Sequence, residues 1–379
     1  MPFKKSIVCF LIFISFFACV EPYELDFTSQ KEILFVEADL NDFDEEQFIS
    51  LKINSVNISG INYTSIENAI VEVIENKGTI IKCIYRTDGK YYLPSSFKAK
   101  LNTPYQLKFI LNGGNTYESK VEIATEVPEI KQVTSFFKPK GILFMNKKID
   151  GHEIYLDTFD NPGVDNYYFW AWRHFESQGY CRSCDGGLYY TTPSPEGRCV
   201  DDANLKRRGV IYDYTCRSIC WDVSYNDNLN IMSDAFSNGK IIEKRLVAKI
   251  PFYQFKGSLI EVQQNSISKA AYNYFKLVID QTQNSGSLAD TPPAGLIGNV
   301  TNLKDPTQAI GGYFMVSSKK IKRFWIKRDE KDPTIKVFGT LNGRIANPEP
   351  SGNDITRPPQ APCLENKIRT AKRPLGWVD

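Results

Sequence analysis

The chain has 379 residues, which is enough for two domains with separate hydrophobic cores. Lys and Arg total 46 against 44 Asp and Glu, so the formal net charge of +2 excludes the basic excess typical of nucleic-acid-binding proteins. The aromatic content of 13% is typical of twisted sheets, in which rings pack on half-buried faces.

The N-terminus has the pattern of an export signal. Lys4-Lys5 precede an apolar run over residues 7–17, which is too short to span a bilayer and suits a cleaved signal segment. The four residues Phe16-Phe17-Ala18-Cys19 resemble a bacterial lipobox, in which the cysteine is acylated and becomes the new N-terminus. We predict a lipoprotein signal peptide over residues 1–18 and lipidation at Cys19. The alternative is an ordinary secretory signal in which Cys19 has no special role.

The next two segments predict a tether and a first domain. Residues 19–30 are polar, contain a proline and lack a hydrophobic period, which predicts an acylated tether. Residues 31–127 contain about seven short alternating runs separated by turn residues, which predicts an immunoglobulin-like β-sandwich. Asp88-Gly89 is a strong turn signal, because both central residues of such a hairpin turn need positive φ.

Residues 128–329 predict a larger, mostly-β domain with one helix. The strand over residues 166–176 has apolar residues on both faces, which predicts a central position in a sheet. Residues 268–283 have the period of a helix, with Ser268 as its N-cap. Gly312–Ser317 and Lys322–Lys327 predict a closing hairpin.

The C-terminal tail differs in composition from both domains. Residues 330–379 are rich in Pro, Gly and Asn, which predicts an irregular tail that packs as a strap or stays partly mobile. The predicted fold class is therefore all-β, an N-terminal immunoglobulin-like sandwich followed by a larger mostly-β domain with one helix and a Cys-rich loop insertion.

Nine cysteines are many for a cytosolic chain, and five of them lie in the Cys-rich insertion at residues 177–222. The disulfide candidates are Cys181, Cys184, Cys199, Cys216 and Cys220. Thiolates at such spacing can also complete a zinc tetrahedron, but export to an oxidising compartment favours disulfides. Since five is odd, one cysteine stays free or reaches Cys363 or Cys83, and the sequence leaves the connectivity open.

Other candidate residues point to binding rather than to catalysis. Tyr180, Tyr189 and Tyr190 lie in the insertion outside any predicted strand, which predicts a contact surface for a peptide, a glycan or a partner protein. His152 and His174 are the only histidines, and no His-dependent catalytic motif is present. We predict a non-enzymatic protein with no metal site and no cofactor.

An acidic run between the first two predicted strands suggests a calcium loop at first sight. The run comprises Asp39, Asp42, Asp44, Glu45 and Glu46. It departs from the calcium-loop pattern, because Phe43 occupies the fifth position and no glycine occupies the sixth. We interpret the run as a solvated hairpin tip.

Several short segments occur in an order that resembles a known family. The segments are C-V-E-P-Y-E after the lipobox, N-A-I-V-E-V-I-E-N-K-G, G-K-Y-Y-L, T-P-Y-Q-L, D-N-Y-Y-F-W and I-G-N-V. They resemble a Bacteroidota outer-membrane lipoprotein family of unknown function, the domain of unknown function 4249, over nearly all of the mature chain. The family tends to carry two close cysteines before a final Gly and Trp, whereas here only Cys363 precedes Gly376-Trp377.

The resemblance implies a surface-exposed lipoprotein that is lipid-anchored in the outer membrane. Such proteins are thought to accompany TonB-dependent transporters, and the family offers no catalytic residues for transfer to this chain. The expected function is association with a transporter-type barrel and capture of a ligand. The alternative is a structural adhesion or envelope-assembly accessory protein. The expected contacts are the barrel protein and, through the N-terminal lipid, the membrane, with no nucleic acid.

Overall fold

A computed structural model describes residues 32–57, 60–192, 194, 196–226, 228–282, 296–330 and 332–379. The predicted signal peptide, the tether and Cys19 lie outside the described residues. Within them the fold is mostly β, which confirms the predicted fold class, and two helices are present. Neither helix in the described part is long and apolar enough to cross a bilayer.

The first sandwich packs two sheets around one apolar core. Its strands are β1 (Ile33–Asn41), β2 (Phe48–Asn57), β3 (Gly60–Ser65), β4 (Ile70–Glu75), β5 (Thr79–Lys82), β6 (Ile84–Thr87), β7 (Lys90–Tyr92), β8 (Pro104–Ile110), β9 (Thr116–Ser119) and β10 (Glu122–Ile123). Strands β1, β2, β3, β6 and β7 share one sheet, and β4, β5, β8, β9 and β10 share the other. Alternation along β8 buries Tyr105, Leu107 and Phe109. Asp88 and Gly89 have φ values of 52° and 69°, which the predicted hairpin turn requires.

The second region contains the remaining elements. Its strands are β11 (Ile130–Phe144), β12 (Lys147–Phe159), β13 (Tyr167–Ser177), β14 (Tyr180–Asp185), β15 (Gly187–Tyr190), β16 (Arg198–Asp201), β17 (Ile211–Thr215), β18 (Trp221–Tyr225), β19 (Asn230–Ser233), β20 (Ile241–Pro251), β21 (Ser258–Ser266), β22 (Val300–Asn302), β23 (Ile310–Ile326) and β24 (Arg369–Thr370). The helices are α1 (Ala203–Arg207) and α2 (Lys269–Thr282).

A second apolar core lies between the three-stranded sheet β11-β12-β20 and a larger sheet that contains β13 and β21. Tyr168 and Trp170 of β13 are buried in this core. Tyr167 and Phe169 point to the opposite face, where they pack against residues of α2. Strand β13 pairs with β21 on one side and with β18 and β19 on the other, so its predicted central position is confirmed.

Strand β23 joins the two sandwiches. Residues 310–317 pair in parallel with β1, and residues 318–326 pair antiparallel with β21. One sheet therefore runs through both regions in the order β24-β18-β13-β21-β23-β1-β2-β7-β6. Phe314 and Val316 of β23 are buried in the first core. The first sandwich thus includes residues from outside the segment 31–127.

The predicted closing hairpin at Gly312–Ser317 and Lys322–Lys327 is wrong, because both segments belong to the single strand β23. Between the two segments, Ser318 and Lys319 continue the strand and have partners from the β1–β2 connection. Ser318 Oγ donates to Asp42 at 2.8 Å, and Lys319 Nζ lies 2.5 Å from Glu45. Polar groups can remain inside a strand when each one is satisfied by a hydrogen bond or an ion pair.

The predicted helix is confirmed as α2, and its N-cap is Ser268, whose Oγ accepts a hydrogen bond from the Ala271 N–H at 3.1 Å. The short helix α1 was not predicted. It begins after Asp202, whose carboxylate accepts hydrogen bonds from the N–H groups of Asn204 and Leu205. It lies in the Cys-rich insertion, where no hydrophobic period indicates a helix.

Candidate functional site

All five cysteines of the insertion form disulfides. The bonds are Cys181–Cys216, Cys184–Cys199 and Cys220–Cys363. The prediction of disulfides is confirmed. Cys220 is the cysteine that finds no partner within the insertion, and it pairs with Cys363. Cys83 is the free cysteine among the described residues. Burial raises the pKa of its thiol to about 12, so the thiol stays protonated at neutral pH.

The zinc alternative does not fit these cysteines. The sulfurs of Cys181, Cys216 and Cys220 do lie within 4.8 Å of one another. Each of them is bonded to another sulfur, however, and a metal ligand must be a thiolate. In this oxidised state the cluster offers no thiolate to a metal.

Two of the disulfides cross-link strands and loops of the cysteine-rich module, which we define as residues 180–220. The third fixes the strap, residues 332–379, to this module. Ion pairs also hold the strap in place. Arg344 pairs with Asp213 in the module, and Arg369 pairs with Asp222 of β18. The strap is irregular apart from β24, and the described part packs along the module.

The three tyrosines of the predicted contact surface have different environments. Tyr189 is fully buried in the core of the module, and its hydroxyl donates to the Glu196 carbonyl at 2.8 Å. Its predicted place on a contact surface is therefore wrong, because the disulfides give the insertion a core of its own. Tyr190 is 38% exposed and lies under the Arg357 guanidinium at 4.6 Å. Tyr180 is half-buried beside the strap.

A different place offers the better-formed concave site. A groove of about 720 Å³ lies between α2 and the β1–β2 connection, and we call it the helix groove. The residues that line it are Phe35, Glu37, Ala38, Asp39, Asn41, Glu45, Glu46, Gln47, Phe48, Leu229, Tyr274, Phe275, Val278, Gly312, Tyr313 and Met315. Apolar clefts with a few convergent polar groups are the usual form of small-ligand sites.

One side of the helix groove is aromatic. The Tyr313 ring of β23 lies 5.0 Å from the Tyr274 ring and 6.1 Å from the Phe275 ring of α2, measured between centroids. The Phe275 ring also stacks on the Phe169 ring of β13, with the centroids 5.7 Å apart. These contacts fix the helix on the sheet, so the aromatic wall is rigid.

The other side of the helix groove is acidic. Its described lining has four carboxylates, from Glu37, Asp39, Glu45 and Glu46, and no Lys, Arg or His. Lys319 reaches two of them from behind, at 3.7 Å from Asp39 and 2.5 Å from Glu45. Desolvation raises the pKa of the Asp39 carboxyl above its ordinary value, although Lys319 opposes this shift.

The acidic run does lie at the predicted hairpin, between β1 and β2, and Asp44 and Glu46 are exposed there. The prediction that the whole run is solvated is wrong. Asp39 accepts a hydrogen bond from Ser317 Oγ at 2.8 Å, and Asp42 accepts one from the Lys319 N–H at 2.8 Å. The physical reason is the long strand β23, which brings a lysine and two serines against the run. The aromatic wall was also missed, since its residues follow Asp39 by 235 positions at Tyr274 and by 274 positions at Tyr313.

The two histidines belong to a buried charged cluster below the strap. Arg328 forms a bidentate ion pair with Glu176, in which its two terminal nitrogens lie 2.9 and 2.8 Å from the two carboxylate oxygens. His152 Nε2 lies 2.9 Å from Glu330 Oε1. His174 Nε2 lies 3.5 Å from Glu176. Burial lowers the pKa of both histidines, and the charge of Arg328 lowers it further. The predicted structural role of His174 fits this buried position.

Comparison with known proteins identifies the family of the chain but no individual relative. A family model described as a domain of unknown function, DUF4249, matches residues 20–323. The chain belongs to this family. It matches no curated protein and no solved structure.

Proposed function

We propose that this member of the DUF4249 family is a non-enzymatic lipoprotein, anchored in the outer membrane and exposed at the cell surface. In this proposal it associates with a TonB-dependent transporter-type barrel and captures a ligand for it. The helix groove carries the binding part of the proposal, because it combines a rigid aromatic wall with four carboxylates.

Two observations support an exported protein. The lipobox-like segment that ends at Cys19 predicts cleavage and acylation after export. The three disulfides of the described chain are typical of an oxidising compartment and rare in the cytosol. Acyl chains on one cysteine would then hold the chain at a bilayer.

The lining of the helix groove favours a ligand with an apolar body and a cationic group. Aromatic rings attract both apolar surface and cations, and the carboxylates add charge complementarity. A peptide that carries Lys or Arg beside an aromatic residue has this chemistry. Among the ligand classes expected from the sequence, the groove therefore favours a peptide over a neutral glycan.

The barrel association is tested by affinity capture from detergent-solubilised outer membrane. We expect the tagged chain to recover a TonB-dependent barrel, and a Cys19→Ser chain to recover less of it because it lacks the anchor. Capture without any barrel protein, together with weaker cell attachment in a deletion strain, would favour the adhesion or envelope-assembly role.

The ligand class is tested by calorimetric titration with the tripeptide Lys-Phe-Lys. Glu37 lines the helix groove and is exposed, so Glu37→Gln removes charge without disturbing the core. We expect this variant to bind the peptide several-fold more weakly than the unmodified chain. Glu243→Gln, at an exposed position of β20, is the matched control and leaves the affinity unchanged. Equal binding by both variants contradicts the groove as the site.

A further inference from the structure

The hairpin of β11 and β12 extends beyond the sheet to which it belongs. The third strand, β20, pairs with β12 only from Gly151 onward, so residues 139–150 form a two-stranded tip with no third strand. Met145 and Asn146 close this tip with φ values of 44° and 62°. Two consecutive residues with positive φ make a tight hairpin turn that matches the strand twist.

The two faces of the hairpin tip differ. Ile142 is buried, and the Phe144 ring packs on Phe338 of the strap at a centroid distance of 4.8 Å. On the other face Leu143 is 68% exposed, and at the turn Met145 is 82% exposed. One face is thus already covered by the strap, while the other presents large apolar side chains to solvent.

Lysines surround the exposed apolar residues of the tip. They are Lys138, Lys140, Lys147 and Lys148, and all four are exposed. None of them forms an ion pair with another described residue. Asp150 is the only acidic residue of the tip, and its carboxylate already accepts hydrogen bonds from the N–H groups of Lys140 and Lys336. The surface of the tip is therefore both apolar and cationic.

We propose that the hairpin tip binds the surface of a bilayer that carries anionic headgroups. Leu143 and Met145 enter the boundary between headgroups and acyl chains, and the four lysines contact the headgroup charges. Charge complementarity selects this occupant, because unpaired lysines around an apolar tip match anionic lipid. This contact is separate from the predicted lipid anchor and goes beyond the proposed function. It would fix the orientation of the protein on the membrane.

The test uses the full chain with Leu143→Trp, reconstituted in vesicles. The vesicles contain either phosphatidylcholine alone or a mixture with phosphatidylglycerol, and brominated acyl chains quench any tryptophan that enters the boundary. The signal of the unmodified chain is subtracted to remove the five native tryptophans. We expect the tip tryptophan to be quenched in the anionic vesicles and far less in the neutral ones.

Charge is tested by adding Lys147→Gln and Lys148→Gln to the Leu143→Trp chain. One lysine near an anionic surface corresponds to about a fivefold gain in affinity, so the ratio of inserted to withdrawn tip should fall about 25-fold. Lys82→Gln with Lys240→Gln is the matched control, since both lysines are exposed and distant from the tip. This control keeps the ratio unchanged.

Two outcomes of the vesicle experiment overturn the proposal. One is equal quenching in neutral and anionic vesicles, which would show that headgroup charge has no role. The other is an absence of quenching in both, even though the chain remains on the vesicles. A tip that is shielded only when outer-membrane proteins are present also overturns it, because the occupant would then be a protein.

Discussion

The first sandwich has a core of aliphatic and aromatic side chains between two sheets. The cysteine-rich module instead has a core of cysteines and two tyrosines, which Ala361 of the strap completes. The described cysteine near the first core, Cys83, is free, while every cysteine of the module is in a disulfide. A segment that cannot bury much apolar surface needs another source of stability, and covalent cross-links supply it. The two regions should therefore respond to different perturbations.

Removal of the disulfide between the module and the strap should have the largest effect. Cys220 and Cys363 are 143 residues apart, and a loop of this length corresponds to about 5 kcal/mol in the chain-entropy account. We expect the Cys220→Ser, Cys363→Ser chain to lose this much free energy of unfolding. Hydrogen exchange should accelerate in the module and the strap and stay unchanged in the first sandwich.

The matched comparison is the Cys184→Ser, Cys199→Ser chain. These residues are 15 apart, so the same account gives about 3 kcal/mol. A loss equal to that of the Cys220 and Cys363 pair would show that loop length does not control the stability of the module.

A core truncation in the first sandwich should give the opposite pattern. Phe109 is fully buried and stacks on Tyr117 at 4.7 Å, so Phe109→Ala should cost about 4 kcal/mol through lost burial and a cavity. Exchange should accelerate in β4, β8 and β9, while the module keeps its protection. The exposed Ile84→Ala on β6 is the control, with a change of about 0.5 kcal/mol or less.

The buried pair of Glu176 and Arg328 lies where the second sandwich meets the strap. Glu176→Gln leaves Arg328 buried without a counter-charge, which should cost about 3 kcal/mol in unfolding free energy. Both partners of the pair Glu46 and Arg86 are exposed, so Glu46→Gln should cost less than about 1 kcal/mol. Similar losses in urea unfolding would contradict a special role for the buried pair.

The two histidines predict a pH dependence at the same junction. Burial lowers the pKa of His152 and of His174 in the folded state, so only the unfolded state gains protons as the pH falls below about 6.5. Stability should therefore decrease on acidification, by at most about 1.4 kcal/mol per pH unit for each histidine. His174→Gln should reduce this slope in urea unfolding between pH 7 and pH 5. An unchanged slope would show that groups other than His174 cause the pH dependence.

Local signals predicted the elements well. Alternation predicted the strands of the first sandwich, Asp88-Gly89 predicted a hairpin turn, and the Ser268 cap predicted α2. Cysteine density and the export signal together predicted disulfides. Each of these features depends on residues that are close in sequence, so the sequence alone contains the information.

The features that the sequence did not predict depend on contacts between distant residues. Strand β23 pairs with β1 across nearly 280 positions, and this pairing brings Lys319 to Asp39. The sequence does not reveal that contact, so it predicted a hairpin within β23 and a solvated tip for the acidic run. The helix groove was missed for the same reason, because its two sides come together only through β23. Which cysteine pairs with Cys363 likewise depends on the path of the strap.

The proposed role as a surface lipoprotein depends most directly on export and acylation. Intact-mass spectrometry of the chain, isolated from the membranes of the cells that make it, tests both together. We predict a mature N-terminus at Cys19 that carries acyl chains, with three disulfides downstream and Cys83 as a free thiol. A chain with its leader intact, or with a cleaved N-terminus that carries no acyl chain, would contradict the account.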